Sequence, residues 1–588
     1  MTGEPLDWSD GAPRSPRFDD IYFSAADGLA ESRAVFLEGC GLPAAWSGRD
    51  RFVVAELGFG TGLNLLALVE LWARTRPAGA RLHLFSVEAY PLAREDAARA
   101  LAAWPELAGL AAVLLRQWPD GRRGFHRITF DELGVVLDLA VAEAVPALQA
   151  WDGRADAWFL DGFAPARNPQ MWSDEVLALV GARSAAGARA ATFTVAGAVR
   201  RGLEAAGFTV DKRPGFGRKR ERLEAVRSGR PAPAAAPARL AVIGAGIAGA
   251  ALVRAFRALG AEPVVYEASA PGAGASGNPA ALVAPRLDAG LGAVAELAAQ
   301  AFARAVQAYV AEIPEAVVAR GVLQLARNAR DPDRFARLAV WDGFAPGRLA
   351  GLSAAETADA LGEPAAPESL DIRDALVVEP RAILGHWLAG VRPVPAAVAS
   401  VEHDGAAWRL LDADGAVVGE AEVVCLAAGA AAAGLGALPL RPVRGQVSWA
   451  QGPVAGRPAA WGGYALPTRN GVLFGATHDR DDTDTAVRID DHRRNLEGLA
   501  KGRPRLAQAL AATPLEGRAG LRAASPDHLP LAGAVPGTAG LFVLSGLGGR
   551  GFTWAPLLAE QVAAMALGAP GPLPRSLAGA VAPGRFAD

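Results

Sequence analysis

The first candidate for chemistry is an acidic residue at the end of an apolar run. Residues 158–160 are Trp-Phe-Leu, Asp161 follows them directly, and the glycine and prolines beyond it predict a turn. Ligands of open α/β sheets bind just past the carboxyl ends of strands, so the pattern predicts Asp161 at the mouth of a pocket. A cap of the next helix explains a lone aspartate equally well, and the loop described next favours the pocket.

A glycine-rich loop earlier in the chain predicts a nucleotide-type site. A short apolar strand at 52–55 leads into E-L-G-F-G-T-G-L-N at 56–64, and a helix follows near 65–74. A second strand, at 82–87, ends at Glu88, where the ribose hydroxyls of a nucleotide would be held. The loop has neither the GxGxxG pattern nor the Lys-Ser/Thr ending of a phosphate-binding loop. It therefore favours adenosine with an amino-acid tail, as in S-adenosylmethionine methyltransferases. The residues expected to contact this ligand are Glu56, Gly58, Gly60, Gly62, Asn64 and Glu88.

A second nucleotide-type motif opens the later part of the chain. The strand at 240–243 is followed by Gly244, Gly246 and Gly249, an Ala-rich helix, and a strand that ends at Glu267. GxGxxG alone is a weak signal, but the full order of strand, helix, strand and acid is a strong one for a dinucleotide site. Backbone N–H groups at the helix start would bind the pyrophosphate, and Glu267 the ribose hydroxyls. The motif does not separate FAD from NAD.

Length and composition limit the class of protein. A chain of 588 residues predicts roughly three to four domains, and the formal net charge of −3 gives no global reason to expect a nucleic-acid partner. Cys40 and Cys425 are far apart, which excludes a disulfide framework and a CxxC metal site and suits the cytoplasm. The polar N-terminus predicts no signal peptide. We interpret the uncharged run at 423–440, which contains glycines and a proline, as a strand, a turn and a loop rather than a membrane span.

A Pro/Ala-rich segment divides the chain. Residues 229–238 read G-R-P-A-P-A-A-A-P-A, a composition typical of an extended, semi-rigid spacer. It separates an N-terminal part, residues 1–228, from a C-terminal part, residues 239–588, and each part contains one of the two glycine motifs.

Five segments of the N-terminal part occur in an order that resembles one family. They are D-D-I-Y-F-S at 19–24, G-L-A-E at 28–31, the loop at 56–64, the segment at 160–172 and G-F-G-R-K-R-E at 215–221. Together they are similar to the methyltransferase half of the MnmC family of bifunctional tRNA wobble-uridine modification enzymes. The resemblance implies a Rossmann-like S-adenosylmethionine-dependent tRNA methyltransferase domain over 1–228, with Asp161 as its catalytic carboxylate.

A carboxylate suits the reaction that the resemblance implies. The acceptor would be an alkyl amine, whose pKa is about 10 if it resembles lysine, so roughly one molecule in a thousand is neutral at pH 7. Asp161 could accept the amine proton and aim the nitrogen lone pair. One departure from the family concerns the adenine contact, because Ala140 stands where the family has an aspartate. Asp138 and Glu143 are the candidates to replace it.

The N-terminal part ends in a basic tract. Between Arg200 and Arg230 the sequence has ten Lys or Arg residues and four acidic ones. A solvated surface is the usual explanation of such a run. The G-F-G-R-K-R arrangement at 215–220 resembles the family segment and favours contact with RNA phosphates.

The C-terminal part resembles flavoenzymes of the D-amino-acid-oxidase and glycine-oxidase type, which implies FAD. The segment G-A-G-A-S-G-N-P at 272–279 is similar to their second phosphate-contacting loop, and residues 546–551 are similar to the turn that faces the flavin ring. G-L-R at 520–522 is similar to their motif for a substrate carboxylate. By this resemblance the additional FAD contacts are Ser276, Gly277, Asn278, Gly546, Gly548 and Gly549, and the substrate contacts are Arg522 and Tyr464. Without it, Arg522 could be a surface arginine and Tyr464 a core tyrosine.

The predicted fold class is α/β throughout. A Rossmann-like methyltransferase domain is followed by a GxGxxG FAD-binding domain with an interleaved mixed-sheet substrate or cap domain. The FAD-binding parts are expected at about 239–290, 421–435 and 520–588, and the cap parts at about 291–420 and 436–519.

The combined resemblance implies two consecutive reactions at one nitrogen of the tRNA wobble uridine. The FAD half would remove the carboxymethyl group of 5-carboxymethylaminomethyl-2-thiouridine, and the other half would methylate the exposed amine with S-adenosylmethionine. The expected protein is a cytoplasmic monomer whose partner is tRNA, with no metal ion and no membrane. Two alternatives remain open: a small-molecule amino-acid oxidase fused to a metabolite methyltransferase, which fits the weak net charge, and a non-catalytic tRNA-binding scaffold, which fits the missing adenine aspartate.

Overall fold

The computed structural model describes residues 6–8, 13–23, 27–217, 219–230, 239–452 and 456–586. The chain forms two units, one of residues 1–235 with 258–260 and 568–575, the other of residues 236–257, 261–567 and 576–588. Most of the predicted spacer, together with Ser24 and Arg218 of the quoted motifs, lies outside the described residues.

The first unit is built on an eight-stranded sheet and a two-stranded ribbon. Its strands are β1 Arg14–Ser15, β2 Asp20–Ile21, β3 Arg51–Leu57, β4 Arg81–Glu88, β5 Gly124–Phe130, β6 Val135–Val141, β7 Ala155–Leu160, β8 Ser184–Thr192, β9 Phe208–Pro214 and β10 Glu221–Arg227. Its helices are α1 Gly28–Ser32, α2 Leu63–Thr75, α3 Arg94–Leu101, α4 Ala108–Arg116, α5 Ala144–Ala150, α6 Asp174–Ala182 and α7 Gly197–Ala205, with short helical turns at Arg33–Glu38, Ala44–Trp46, Pro105–Leu107, Asp131–Leu133 and Pro169–Trp172.

The eight strands have the order β5-β6-β4-β3-β7-β8-β10-β9, and β3, β4, β6, β7 and β8 run parallel. Alternate residues of β3 enter different apolar clusters: Phe52 and Val54 pack in one, Val53 and Ala55 in the other. Both faces of the sheet are therefore covered, which explains why residues 52–55 of this strand are all apolar. The strands β4, β3 and β7 are neighbours in the sheet. The glycine-rich loop after β3, the end of β4 at Glu88 and the turn at Asp161 after β7 therefore lie together at one edge of the sheet.

The described residues of the second unit form three sheets. The remaining strands are β11 Leu240–Ile243, β12 Val264–Glu267, β13 Ala281–Val283, β14 Val317–Leu325, β15 Leu349–Leu352, β16 Ser369–Val378, β17 Val394–Pro395, β18 Ser400–His403, β19 Trp408–Leu411, β20 Val417–Ala421, β21 Val423–Leu426, β22 Arg441–Gln451, β23 Ala459–Ala460, β24 Tyr464–Pro467, β25 Gly471–Gly475, β26 Asp479–Arg480, β27 Glu516–Ala524, β28 Leu531–Ala534 and β29 Leu541–Ser545. The remaining helices are α8 Ile247–Ala258, α9 Ala293–Glu312, α10 Asp331–Ala339, α11 Ala354–Leu361, α12 Pro380–Trp387, α13 Ala432–Leu435, α14 Ile489–Gly502, α15 Pro504–Leu510, α16 Gly551–Ala566 and α17 Arg575–Val581, with short turns at Pro314–Ala316, Gly429–Ala431 and Pro583–Phe586.

A six-stranded sheet of order β17-β12-β11-β21-β29-β28 carries the GxGxxG loop between β11 and α8. A ten-stranded mixed sheet follows the order β13-β16-β14-β23-β24-β25-β22-β26, with β15 beside β16 and β27 beside β22. Strands β18, β19 and β20 form a separate small sheet. Strands β13 and β27 belong to the ten-stranded sheet, although the sequence analysis assigns these parts of the chain to FAD binding. In both places the chain therefore crosses from one large sheet to the other.

The uncharged run at 423–440 contains β21, a helical turn and α13. The interpretation as strand, turn and loop is confirmed except for the short helix. Within the described ranges, none of the helices combines the length and apolar character needed to cross a bilayer.

Candidate active sites of the two units

The turn after β7 faces the glycine-rich loop after β3. A Cβ atom on Gly58 would lie 3.2 Å from the Cα of Gly162 and 3.3 Å from the carbonyl carbon of Asp161. Gly58 also has a φ of +85°, so a side chain there would be strained as well as crowded. The same loop ends at Gly62, the residue before α2. Asp161 is therefore beside the loop and not in the protein core.

Two donors hold the Asp161 carboxylate. Asn64 Nδ2 donates to Oδ2 at 2.7 Å, and the backbone N–H of Gly162 donates to Oδ1 at 2.8 Å. Burial raises the pKa of Asp161 to about 6, and these donors and the Lys219 ammonium oppose the rise. The carboxylate is therefore largely ionised at pH 7 yet close to the pH at which it exchanges a proton.

Two further acids lie at the ends of neighbouring strands. Glu88 accepts hydrogen bonds from the backbone N–H of Gly60 at 3.0 Å and of Tyr90 at 2.9 Å, which fixes it against the loop. Glu56 is buried near the end of β3, where Ser86 Oγ donates to it at 2.6 Å. Burial raises the pKa of Glu56 to about 8, so this side chain is mostly neutral at pH 7.

An aromatic wall stands next to Asp161. Phe163 stacks on Phe18 with ring centroids 4.8 Å apart and meets Tyr22 edge to face at 5.1 Å. The backbone N–H of Ala164 donates to Asp20 Oδ2 at 3.0 Å, which ties the turn to β2. A flat apolar wall beside a carboxylate fits a nucleobase that carries an amine. Asp20 and Tyr22 belong to the D-D-I-Y-F-S motif, but the sequence predicted no role for either residue.

The hypothesis that Asp138 replaces the family's adenine aspartate is wrong. Asp138 is buried inside β6, where Arg127 Nε and Nη2 donate to its two oxygens at 2.8 and 2.7 Å. Ala140 is also buried within that strand. Glu143 is exposed and directly precedes α5, at the carboxyl end of β6. Of the two candidates, Glu143 alone is placed to reach a ligand.

Part of the basic tract lies on the β9–β10 hairpin, where several of its charges are paired. Ion pairs join Lys212 to Glu221 at 2.8 Å and Arg222 to Glu224 at 2.7 Å. These acids reduce the net positive charge of the hairpin. The contact with RNA phosphates stays a prediction.

The second glycine motif opens α8 and meets the loop at 272–279. Ser276 Oγ accepts a hydrogen bond from the backbone N–H of Ile247 at 3.0 Å, and a Cβ on Gly246 would lie 3.1 Å from the same oxygen. A Cβ on Gly249 would overlap the carbonyl oxygen of Gly244, so the start of the helix tolerates no side chain there. The N-terminus of α8, where glycines leave no side chains, has room for a pyrophosphate beside its backbone N–H groups.

Glu267 lies at the end of β12, as the strand–helix–strand pattern predicts. Its Oε2 accepts a hydrogen bond from the backbone N–H of Ala245 at 2.7 Å, and its Oε1 one from that of Ser269 at 3.1 Å. The carboxylate therefore stands beside the bare helix start, where the ribose of a dinucleotide would lie. Together these residues fit the adenosine diphosphate part of FAD.

Arg518 is a residue of this site that sequence reasoning missed. Its guanidinium donates to the carbonyl oxygens of Gly272, at 3.2 Å, and Ala273, and a Cβ on Gly277 would lie 2.9 Å from its Nη2. Its Nη1 is buried and has no hydrogen-bond partner among the described residues. Asn278, half-buried, follows in the same loop. A buried cationic donor at this loop fits a phosphate-bearing ligand, and the R-x-G-x-R spacing with Arg522 was the available signal.

Arg522 lies on β27, next to the glycine turn that precedes α16. Its Nη1 donates to the carbonyl oxygen of Thr477 at 3.2 Å, and the N–H of Gly548 donates to the carbonyl oxygen of Ala523 at 3.0 Å. The turn 546–549 thus sits against the strand that carries Arg522. Its first residue, Gly546, is buried, and Gly549 is exposed.

Tyr464 and His478 are electrostatic neighbours of Arg522. Burial raises the pKa of Tyr464, and Arg522 opposes that rise. Burial, followed by the charge of Arg522, lowers the pKa of His478, which keeps the imidazole neutral at pH 7. Arg522, a phenol and a neutral ring are therefore electrostatic neighbours, an arrangement suited to a small carboxylate. Sequence reasoning did not single out His478.

Two family models match the chain. One describes an S-adenosyl-L-methionine-dependent methyltransferase and matches residues 105–228, and the other describes an FAD dependent oxidoreductase and matches residues 239–565. Among solved structures, glycine oxidase from Geobacillus kaustophilus has 24% sequence identity and a TM-score of 0.52, covering 59% of this chain and 99% of its own. The chain therefore joins a methyltransferase to a flavin-dependent oxidoreductase, and its cofactors are S-adenosyl-L-methionine and FAD.

Full-length relatives identify the family. The tRNA 5-methylaminomethyl-2-thiouridine biosynthesis bifunctional protein MnmC of Caulobacter sp. (strain K31) is 58% identical over 597 residues, which span 100% of this chain and 98% of the relative. The protein of the same name from Azoarcus sp. (strain BH72) is 39% identical over 611 residues, spanning 98% of this chain and 96% of the relative. This chain belongs to the MnmC family, as its motifs imply. Within the described part of the chain, no three His, Cys, Asp or Glu residues are grouped so that they could hold a metal ion.

Proposed function

We propose that this chain carries out two consecutive modifications of the tRNA wobble uridine. Residues 239–588 remove the carboxymethyl group of 5-carboxymethylaminomethyl-2-thiouridine to give the 5-aminomethyl form and glyoxylate. Residues 1–228 then methylate the amine to give 5-methylaminomethyl-2-thiouridine. Family membership supports this pair of reactions. The observation that carries the site assignment is the Asp161 carboxylate, held by two donors against the Gly58 loop.

In the methyltransferase site, S-adenosylmethionine supplies an electrophilic methyl group when it is bound. Asp161 Oδ2 and Oδ1 are oriented by Asn64 and Gly162, so the carboxylate can accept the proton that the amine loses. Because roughly one alkyl amine in a thousand is neutral at pH 7, a site that binds the neutral amine must offset about 4 kcal/mol, and the Asp161 carboxylate then accepts the proton that the nitrogen loses after methyl transfer. The rings of Phe163 and Tyr22 would hold the uracil in position beside it.

In the oxidoreductase site, FAD accepts a hydride when it is bound. Arg522 would bind the carboxylate of the carboxymethyl group with two parallel hydrogen bonds, and Tyr464 would add a third. This grip fixes the carbon beside the nitrogen, from which the hydride leaves. The neutral ring of His478 adds no charge that would compete with the guanidinium. Water then hydrolyses the imine of the substrate to the free amine and glyoxylate.

The other residues that we expect to bind FAD each have a role in this proposal. The glycines at the start of α8 and the loop containing Ser276, Gly277 and Asn278 would hold the pyrophosphate. Glu267 would bind the ribose, and the turn of Gly546, Gly548 and Gly549 would face the flavin ring. We propose a monomer in the cytoplasm, and the two cysteines, which are free and buried, support a reducing compartment.

The test uses purified, FAD-loaded protein and tRNA that carries the carboxymethylaminomethyl nucleoside. Under anaerobic conditions the tRNA should bleach the flavin and release one glyoxylate for each flavin reduced. If this tRNA leaves the flavin oxidised while free glycine or sarcosine reduces it, the small-molecule alternative is correct and the proposal fails.

A further inference from the structure

Lys219 belongs to the basic tract, but it is held at the methyltransferase site. Its ammonium donates to Glu31 Oε1 at 2.8 Å and lies 3.8 Å from the centroid of the Phe193 ring. Glu31 belongs to α1, and Phe193 directly follows β8, the neighbour of β7 in the sheet. Glu31 and Phe193 therefore hold this cation at the carboxyl edge of the sheet, beside β7, which Asp161 directly follows.

The charges that face Asp161 act in opposite directions. The Lys219 ammonium favours the ionised carboxylate, whereas burial and the negative charge of Glu31 disfavour it. Burial chiefly raises the pKa of Glu56, and the charge of Asp161 adds to the rise, so these two carboxyl groups are also electrostatic neighbours. The two donors to Asp161, an amide and a backbone N–H, are uncharged. Among these charges Lys219 is the cation, and it opposes the effects of burial and of Glu31 on Asp161.

We propose that Lys219 is a positioning residue which keeps Asp161 ionised and the acceptor amine neutral during methyl transfer. The proposal rests on the proposed function of the N-terminal part. An ammonium group that entered beside Lys219 would meet a like charge, whereas a neutral amine would not. The pair formed with Glu31 and the Phe193 ring restrains the lysine, so that its charge stays at the edge of the site.

The proton balance of the reaction shows why both charge states matter. Methyl transfer forms a nitrogen–carbon bond and breaks the sulfur–carbon bond of the donor, which leaves as a neutral thioether. The nitrogen gains a positive charge and returns to the neutral amine when one of its protons passes to Asp161. A protonated Asp161 cannot accept that proton, and a protonated amine has no lone pair for the methyl group. Lys219 disfavours both of these unproductive forms.

The test compares three variants in single-turnover methylation of tRNA carrying 5-aminomethyl-2-thiouridine. Lys219→Met keeps an apolar stem over the Phe193 ring but removes the charge, and Lys219→Arg keeps the charge. Lys212→Met, which removes another paired lysine of the same tract, is the matched control. Rates at saturating tRNA are measured from about pH 5.5 to about pH 9.5 with labelled donor.

Lys219→Met should raise the pH at which the methylation rate is half-maximal by about one unit. Its rate at pH 6 should therefore fall roughly fivefold relative to the wild type and recover at pH 9. Lys219→Arg and the control should keep the wild-type half-maximal pH. The KM for tRNA should stay within about twofold in Lys219→Met, because Lys219 is not a phosphate contact in this account.

An unchanged half-maximal pH in Lys219→Met overturns the proposal. So does a raised KM for tRNA with a shallower salt dependence, which identifies Lys219 as a phosphate contact. Thermal unfolding and binding of the methyl donor show whether the variant is folded, and Lys219→Gln replaces it if it is not. A wild-type protein that methylates this tRNA at no pH refutes the proposed function instead, so the two failures are distinguishable.

Discussion

Replacing Asp161 with asparagine should abolish methyl transfer and leave the fold intact. Asparagine has the same shape, and its oxygen can accept the N–H of Gly162 while Asn64 turns its amide to accept from the new NH₂ group. The change removes the proton acceptor, and general-base catalysis is typically worth about 10²–10⁴ in rate. We expect methylation to fall by at least about a hundredfold in a single turnover, with flavin reduction unchanged.

The stability of the same variant has a predicted sign. The pKa of Asp161 is raised from 3.8 to about 6 in the folded protein. With a raised carboxyl pKa, the contribution of this group to the free energy of unfolding is fully present below about pH 4 and is lost as the pH rises through 6. A shift of about two units corresponds to on the order of 3 kcal/mol. Because asparagine does not ionise, the free energy of unfolding at pH 8 should be equal to or higher than that of the wild type.

Two assays at pH 8 measure these effects: labelled methyl transfer to tRNA, and urea unfolding followed by tryptophan fluorescence. In the wild type, the single-turnover rate should also fall about tenfold per pH unit below pH 6. Methylation at the wild-type rate in the asparagine variant would refute the role of Asp161. An inactive variant that is less stable by several kcal/mol would refute the electrostatic account, because the loss would then be structural.

Three further changes test other parts of the two sites. Arg522→Met should raise the KM for the carboxymethylated tRNA roughly ten- to a hundredfold, because a charge-assisted carboxylate contact is worth about 1.5–3 kcal/mol. Stopped-flow flavin reduction measures this KM, and an unchanged value contradicts the assignment. Gly249→Ala should abolish FAD binding because its Cβ would overlap the Gly244 carbonyl, whereas Gly385→Ala, with no atom within 4 Å of its Cβ, should keep the flavin absorbance; equal FAD content in both contradicts the site. The pKa of Glu56 is raised to about 8, so the wild type should lose stability as the pH rises through 8 and Glu56→Gln should not; urea unfolding at pH 7 and pH 9 checks this, and a constant difference between the two proteins argues against it.

The strands and glycine loops could be predicted because local patterns determine them. The apolar runs at 52–55 and 82–87 and the helix near 65–74 became β3, β4 and α2, with ends within two residues of the prediction. The position of Asp161 followed from the same logic, since an acid that ends a buried parallel strand must emerge at the carboxyl edge of the sheet.

Contacts between distant segments could not be predicted in the same way. Lys219 and Glu31 are 188 residues apart, and a count of charges does not show that this lysine is paired. The pairing of Asp138 with Arg127 depends on the register of β5 and β6. This pairing excludes Asp138 as the adenine contact, a role for which the sequence had made it a candidate. Arg518 was missed because its role appears only when β27 packs on the loop at 272–279.

The central claim is that one chain carries out both reactions on the same nitrogen, and nucleoside mass spectrometry tests it most directly. The FAD-loaded protein is incubated with tRNA carrying 5-carboxymethylaminomethyl-2-thiouridine, with and without S-adenosylmethionine. Without the methyl donor the 5-aminomethyl nucleoside should accumulate, and with it the 5-methylaminomethyl nucleoside should replace it, except in the Asp161→Asn variant. If the carboxymethylaminomethyl nucleoside persists unchanged in both reactions, the account is contradicted.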